Sequence, residues 1–175
     1  MALSLGLLLV AKPTPAAFWA GLPLVAIGEA IRLWASGYLT KLSGLVTAGP
    51  FAICRNPLYA GSFLICLGYL VMCNRADVLI VGIALFWGLH WAAVIYEERI
   101  LRERFGEEFE EYCRRVPRFV PRPRRLAGRG GFSFEQVMAN DEHRGAASAA
   151  LLSTVFAFMA YGSFSIAGWL TSLAA

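Results

Sequence analysis

Residues 58–96 read LYAGSFLICLGYLVMC, NRAD, VLIVGIALFWGLHWAAVIY: an uncharged run from Leu58 to Cys73, a four-residue connection, and a second run from Val78 to Tyr96 that is uncharged apart from protonation of His90. A helix needs about 20 mostly apolar residues to cross a bilayer, and these runs are close to that length. The connection Asn74-Arg75-Ala76-Asp77 is too short to allow anything but antiparallel neighbours. A helical hairpin in a membrane is therefore the nucleus from which the rest of the chain is read.

Outward from it, Ala16 to Ser36 forms a further candidate span that carries Glu29 and Arg32, and Ala146 to Ala175 is uncharged throughout. Ala2 to Ala11 is too short to cross alone and is set off by Pro13 and Pro15, so it reads as a fifth, partial span or an interfacial segment. With no basic residue ahead of it and no small-residue cleavage site behind it, it does not read as a cleaved signal peptide. The composition agrees with a membrane chain: 58% of the 175 residues are hydrophobic and the mean hydropathy is +0.57. The predicted fold is all-α, an integral membrane protein with four or five transmembrane helices in one domain over residues 1–175. The last span is placed at about residues 146–172.

Charge sets the orientation. Ten Lys/Arg residues lie between Glu97 and Arg129, with Lys41 and Arg55 ahead of the hairpin on the same side, against Arg75 alone in the hairpin turn. The Arg-rich side is therefore predicted to face the cytoplasm, as at a bacterial-type inner membrane. Seven arginines and no acid fall between Tyr112 and Arg129. This basic patch abuts membrane segments and carries no interleaved aromatic platform, so nucleic acid is not the expected partner. Oligomeric state is not legible in the sequence.

From Glu98 to Val116 the pattern changes. Leu101, Phe105, Phe109, Tyr112 and Val116 recur at steps of three and four, opposite a densely charged face. This predicts an amphipathic helix that leaves the membrane and caps the cytoplasmic helix ends, with Pro117, Pro121 and Pro123 beyond it. A short polar segment from Phe132 to Arg144 leads into the last span. Gly21 and Gly28, and again Gly61 and Gly68, sit two turns apart and suit close helix packing.

Two motifs carry candidate chemistry. In Gly49-Pro50-Phe51-Ala52-Ile53-Cys54-Arg55-Asn56-Pro57-Leu58-Tyr59-Ala60-Gly61, Pro57 suits the first turn of a helix. The N–H groups just after it, the helix dipole and Arg55 make an anion site that fits a carboxylate; Arg55 also reads as a plain topology anchor. In Glu97-Glu98-Arg99-Ile100-Leu101, Glu97 shares a helix face with His90 and Leu101, and an inward acid at a membrane surface is a functional candidate. The same acids also read as a cap pairing with Arg99 or Arg102. His90 by itself reads as a satisfied interior histidine. The four cysteines, Cys54, Cys66, Cys73 and Cys113, have no paired spacing, so neither a metal site nor a disulfide frame is expected.

The order R-N-P-L-Y-x-G at a helix start, a tight hairpin, then E-E-x-x-L-x-x-x-F-G-x-x-F-x-x-Y-x-x-x-V-P-x-x-x-P resembles the paired signature of the isoprenylcysteine carboxyl methyltransferase family with its bacterial and archaeal relatives. It covers residues 49–121. Glu29-Ala30-Ile31-Arg32-Leu33-Trp34-Ala35 and Gly37 look like the span that precedes this core in bacterial relatives. The resemblance implies a membrane methyltransferase that uses S-adenosylmethionine, in a pocket open to the cytosol, on a lipid or lipidated small-molecule acceptor delivered from the bilayer. By position it implies that Asn56, Pro57, Tyr59 and Gly61 line the cofactor site, with Arg55 and His90 beside them and Glu97 and Glu98 contacting the cofactor from the second motif. Glu97 and Glu98 are the expected acids near the reacting centre, and Arg115 is a candidate for orienting an anionic acceptor as well as a candidate topology charge. Asn56 stands where the family has histidine, and Phe109 where it commonly has tyrosine; asparagine hydrogen-bonds but does not titrate. Carboxyl O-methylation is the leading reading. Phospholipid N-methylation, a nicotinamide-dependent sterol-type reductase and a non-enzymatic membrane assembly factor are the alternatives. Gly128-Arg129-Gly130-Gly131 lies outside any βαβ context, which excludes the soluble Rossmann type of methyltransferase.

Overall fold

A computed structural model describes residues 2–39, 44–122 and 128–162. The helices are α1 (Ala2–Val10), α2 (Pro15–Ser36), α3 (Pro57–Met72), α4 (Ala76–Phe105), α5 (Glu107–Arg115), α6 (Phe134–Ala139) and α7 (Glu142–Tyr161), with a 3-10 turn at Gly49–Ala52. No strand occurs among the described residues. Three helices, α2, α4 and α7, are long and apolar enough to cross a membrane, and α3 is a shorter apolar helix of 16 residues. The protein is an all-helical integral membrane protein. Lys41, Arg124, Arg125 and the part of the predicted last span beyond residue 162 lie outside the described residues.

Helix α2 begins where the sequence stops and starts it. The Thr14 hydroxyl accepts from the Ala17 N–H at 3.2 Å, and Pro15 occupies the first helical position, where its missing N–H costs nothing. Its partner is α3, and the contact is made by glycine. A Cβ on Gly21 would lie 2.4 Å from the Gly68 carbonyl oxygen, and one on Gly28 would lie 2.6 Å from that of Gly61. The order of these pairs makes the two helices antiparallel and brings backbone directly onto backbone, as the glycine spacing predicts.

Asn74 then turns the chain at φ 54°, a left-handed conformation that asparagine tolerates. Its side chain donates to the Lys12 carbonyl at 3.2 Å and ties the hairpin to the segment after α1. The short first helix packs Leu7 and Leu8 against the core formed by Phe18, Val25, Tyr69, Met72, Cys73, Phe156 and Met159. Helix α7 completes this core: the Tyr69 hydroxyl donates to the Ala149 carbonyl at 2.8 Å, and the Tyr69 ring stacks on Phe156 at 5.7 Å.

At the Arg-rich end, α4 does not stop where the apolar run stops. Its 30 residues amount to about 45 Å, well beyond a hydrocarbon core of about 30 Å, so Glu97 through Phe105 extend past the apolar part of the same rod. The amphipathic segment predicted from Glu98 to Val116 is thus divided between two helices. Gly106, at φ 51°, ends α4 and starts α5. The apolar stripe survives the break: Phe109, Tyr112 and Val116 are buried with Leu45, and Leu101 and Phe105 pack onto them. Glu107, Glu108 and Glu110 in the first turn of α5, and Arg114 and Arg115 in the last, complement its dipole.

The polar segment after residue 131 becomes α6 and the start of α7, which begins at Glu142, four residues before the apolar run suggests. Asn140 donates to the carbonyls of Ser36 (3.0 Å), which also accepts from the Leu39 N–H, and of Leu39 (2.9 Å), tying the end of α2 to the connection before α7.

The glycine contact makes a direct prediction. Gly28→Val forces a branched side chain into the Gly61 carbonyl and is expected to destabilise the protein by about 3 kcal/mol, the upper part of the overpacking range. Gly88→Ala, at a position with no atom within 4 Å of the new Cβ, is expected to be neutral or stabilising by up to about 1 kcal/mol. Thermal unfolding of both variants in micelles checks the pair.

Candidate functional site

Two polar cavities meet at the Arg-rich end. The larger, 330 Å³, is lined by Arg32, Leu39, Phe51, Arg55, Asn56, Pro57, Leu58, Tyr59, Ser62, His90 and Glu97. A smaller one of 140 Å³ shares Leu39, Phe51, Arg55, Asn56 and Glu97 and continues to Leu45, Leu101, Arg104 and Tyr112. A third, apolar groove of 570 Å³ runs between α1, α3 and α4 from Asp77 to His90. His90 borders both this groove and the larger polar cavity.

The first motif reaches the cavity through the start of α3. Pro57 sits in the first turn, and no side chain caps it. Asn56, which precedes it, instead turns its amide away: Nδ2 donates to Glu98 Oε1 at 3.1 Å and to the Arg118 carbonyl at 3.3 Å. The first turn of α3 therefore presents its N–H groups and positive dipole end beside Leu58 and Tyr59 in the cavity wall. Arg55 lies just ahead. Its Nη1 contacts the Cys113 sulfur and is 3.6 Å from Glu98, while its buried Nε has no partner. Burial pushes the Cys113 thiol above its ordinary pKa, against the opposing pull of Arg55, so this contact is to a neutral thiol. Burial also pushes the Tyr112 phenol up; its hydroxyl donates to the Phe51 carbonyl at 2.7 Å and fixes the floor beneath Arg55.

The two adjacent acids part company. Successive helical residues point about 100° apart. Glu97 lines both polar cavities and faces Tyr59. Glu98 is 3% exposed and is gripped by Arg118, whose Nε lies 3.0 Å from Oε1 and whose Nη2 lies 2.7 Å from Oε2, with Asn56 completing the set. The backbone joins the same clasp: Arg55 N–H donates to the Pro117 carbonyl (2.8 Å), Asn56 N–H to that of Arg118 (3.2 Å), and Arg122 N–H to that of Ile53 (3.1 Å). Phe119 packs edge-on to Trp87 at 5.1 Å, and the Arg118 guanidinium lies over Trp91. Glu98 thus fastens the segment after α5 across the starts of α3 and the end of α4.

The other residues singled out in the sequence fall as follows. His90 lies flat on Phe86 at 3.9 Å, with Nδ1 2.9 Å from the Phe86 carbonyl and the ring edge toward Tyr59. Gly61 faces α2, where a Cβ would strike both the Gly28 carbonyl and Cγ of Arg32 at 2.7 Å. Arg115 pairs with Glu111 on the exposed face of α5. Arg32 and Ser62 line the cavity although neither was expected there; the available signal was a lone arginine inside an apolar run. Arg118, the main partner of Glu98, was hidden among equivalent arginines. Among the described residues, no group of three or more His, Cys, Asp or Glu side chains is placed to hold a metal ion.

A family model described as phospholipid methyltransferase matches residues 3–108. The cobalt-zinc-cadmium resistance protein CzcN of Cupriavidus metallidurans is 42% identical over 105 residues, covering 58% of this chain and 46% of that protein. The nickel-cobalt-cadmium resistance protein NccN of Alcaligenes xylosoxydans is 38% identical over 104 residues, covering 58% and 47%. Protein-S-isoprenylcysteine O-methyltransferase B of Arabidopsis thaliana is 32% identical over 114 residues, covering 58% and 57%. The chain spans about half the length of these curated relatives. Among solved structures, the eukaryotic intramembrane Ras methyltransferase ICMT matches with a TM-score of 0.53 at 22% identity, over 59% of this chain and 42% of that one, which establishes a shared fold.

The division between the acids is testable by hydrogen exchange. Glu98→Gln is expected to speed amide exchange at Arg55 and Asn56 by about 100-fold, the loss of about 2–3 kcal/mol of charge-assisted hydrogen bonding that holds the clasp closed. Glu97→Gln is expected to leave exchange at both amides unchanged.

Proposed function

The chain belongs to the phospholipid methyltransferase family, and on that premise we propose that it transfers a methyl group from S-adenosylmethionine to a lipid-like or membrane-delivered acceptor, at a carboxylate oxygen. One observation carries the reading: a single cavity brings together a cation, an uncapped helix start, an acid and aromatic edges, next to an apolar groove.

These groups fit the cofactor. The buried Nε of Arg55 and the first turn of α3 supply donors for a carboxylate. Glu97 supplies the acceptor for an ammonium group, and Tyr59 and His90 offer ring faces and edges to adenine or to a sulfonium. When bound, S-adenosylmethionine supplies a methyl carbon on a positively charged sulfur. The chain's own contribution is positioning: α3 and α4 fix both ends of the cavity, and the Glu98 clasp holds the covering segment in place. An ionised carboxylate attacks methyl without giving up a proton, so the asparagine at position 56 is compatible with this acceptor and no general base is required.

A second reading, N-methylation of a phospholipid amine, is favoured by Glu97, an acid in the cavity able to take the proton that an ammonium must lose. The pH dependence separates the two. A carboxylate with a pKa near 4 is ionised throughout the neutral range, so with a carboxyl acceptor the rate is expected to stay nearly flat from about pH 6 to 8.5. With an amine the rate climbs about tenfold per pH unit until the amine or its base has titrated. His90 also lines the cavity, and the same flat profile is expected in His90→Asn. The acceptor itself is found by incubating purified protein with labelled S-adenosylmethionine and a membrane lipid extract, then identifying the methylated product by mass spectrometry.

The active site is proposed to face the cytoplasm from the inner membrane, supported by Arg55, Arg114, Arg115, Arg118, Arg122 and Arg129 at one end against Arg75 at the other. In a background lacking the native cysteines, a membrane-impermeant thiol reagent added to intact cells is expected to label a cysteine replacing Asn74 and to spare one replacing Arg122.

A further inference from the structure

Arg32 stands in the wall of the larger polar cavity, inside a membrane-length helix and away from both sequence motifs. A cation in such a position is costly unless it is paired, and it is rarely without a task. Its pairing comes from two other helices. Nε donates to Glu142 Oε1 of α7 at 2.6 Å, and Nη1 donates to the Ser62 hydroxyl of α3. A guanidinium carries five N–H donors, so these bonds fix its plane and leave three donors on the Nη edge, at a side chain that is 28% exposed.

The route into the cavity is also built. Arg32 Cγ passes over α3 where Gly61 has no side chain, and a Cβ there would lie 2.7 Å from it. The close approach of α2 and α3 therefore delivers a directed guanidinium edge to the cavity. Arg55 meets Cys113 and Glu98 through Nη1 at the α3 start, and its unpartnered Nε is the donor assigned above to the cofactor carboxylate.

We infer that Arg32 is the residue that recognises the anionic head of the acceptor, its Nη edge pairing with the acceptor carboxylate while Glu142 and Ser62 hold the guanidinium in plane. This rests on the carboxyl-acceptor reading. Because the carboxyl groups of Glu142 and Glu29 both lie with Arg32, discrimination comes from directed donors and not from net charge. A lysine at the same place keeps the charge and loses the planar fork.

The test measures equilibrium binding of N-acetyl-S-farnesylcysteine and of its neutral methyl ester to the full chain in micelles saturated with S-adenosylhomocysteine. Wild type is expected to prefer the acid by about tenfold or more, the worth of a charge-assisted pair. Arg32→Gln is expected to abolish the preference while keeping S-adenosylhomocysteine affinity, which also reports that the variant is folded; Arg32→Lys is expected to retain only part of it. An acid preference that survives in Arg32→Gln, or one absent from wild type, overturns the role of Arg32. Methyl transfer to the acid is measured in parallel. Transfer with no dependence of acid binding on Arg32 overturns this inference and leaves the carboxyl reading standing, whereas Arg32-dependent acid binding with no transfer overturns that reading and leaves the anion site.

Discussion

Gly21 and Gly28 meet Gly68 and Gly61 with only backbone between them, and the rest of the molecule is arranged around that contact. In lipid there is little hydrophobic gain from pressing one apolar helix onto another, so close backbone approach and the dispersion it allows must hold α2 to α3. The same approach sets the height of Arg32 against Ser62 and leaves the space through which its side chain passes. Packing and site geometry are thus one constraint: widening the helix pair by a methyl group moves a wall of the cavity.

The second constraint is electrostatic and lies at the Arg-rich end. A carboxylate as buried as Glu98 is costly unless its lone pairs are filled. Arg118, Asn56 and Arg55 fill them from two separate stretches of chain, residues 55–56 and residue 118. What results is specificity of closure: the segment after α5 can settle across α3 and α4 only in the register that satisfies this one acid. The adjacent Glu97 remains turned toward the cavity, so neighbouring identical residues serve as fastener and as cavity-lining group because the helix rotates one away from the other.

Much of this was legible in the sequence. The hairpin needed only two apolar runs and four residues between them, and the glycine spacing named the contact before any partner helix was known. The stripe from Leu101 to Val116 identified the face that buries, although periodicity alone did not reveal that Gly106 would bend it at a positive φ. What stayed hidden depended on pairing at long range. Nothing local distinguishes Arg118 from Arg114 or Arg122; its role exists only because the chain returns to residues 53–56. Arg32 was visible as an unusual charge, but its partners lie 30 and 110 residues away, and no periodicity carries that information. Gly61 was read both as a packing glycine and as part of a cofactor motif, and it is the first reading that its contact with the opposite helix bears out.

The arrangement of polarity follows from these placements. The polar cavity and the apolar groove share His90 as a border, and its ring is held by stacking on Phe86 and by the Phe86 carbonyl. An amphiphile with its tail in the groove would, on the proposed reading, place its head on the cavity side of that ring, where Arg32, Arg55 and Glu97 are the charged groups among the lining residues. On the acceptor reading proposed above, an anionic head meets the Nη edge of Arg32, whereas a cationic head would meet Glu97. A diffusing water-soluble anion would satisfy Arg32 and leave the groove unused. On that reading an apolar chain and an anionic head together narrow the acceptor further than either surface does alone, and both surfaces are set by where α2 and α4 stand relative to α3, the helix whose glycines hold the first and whose hairpin fixes the second.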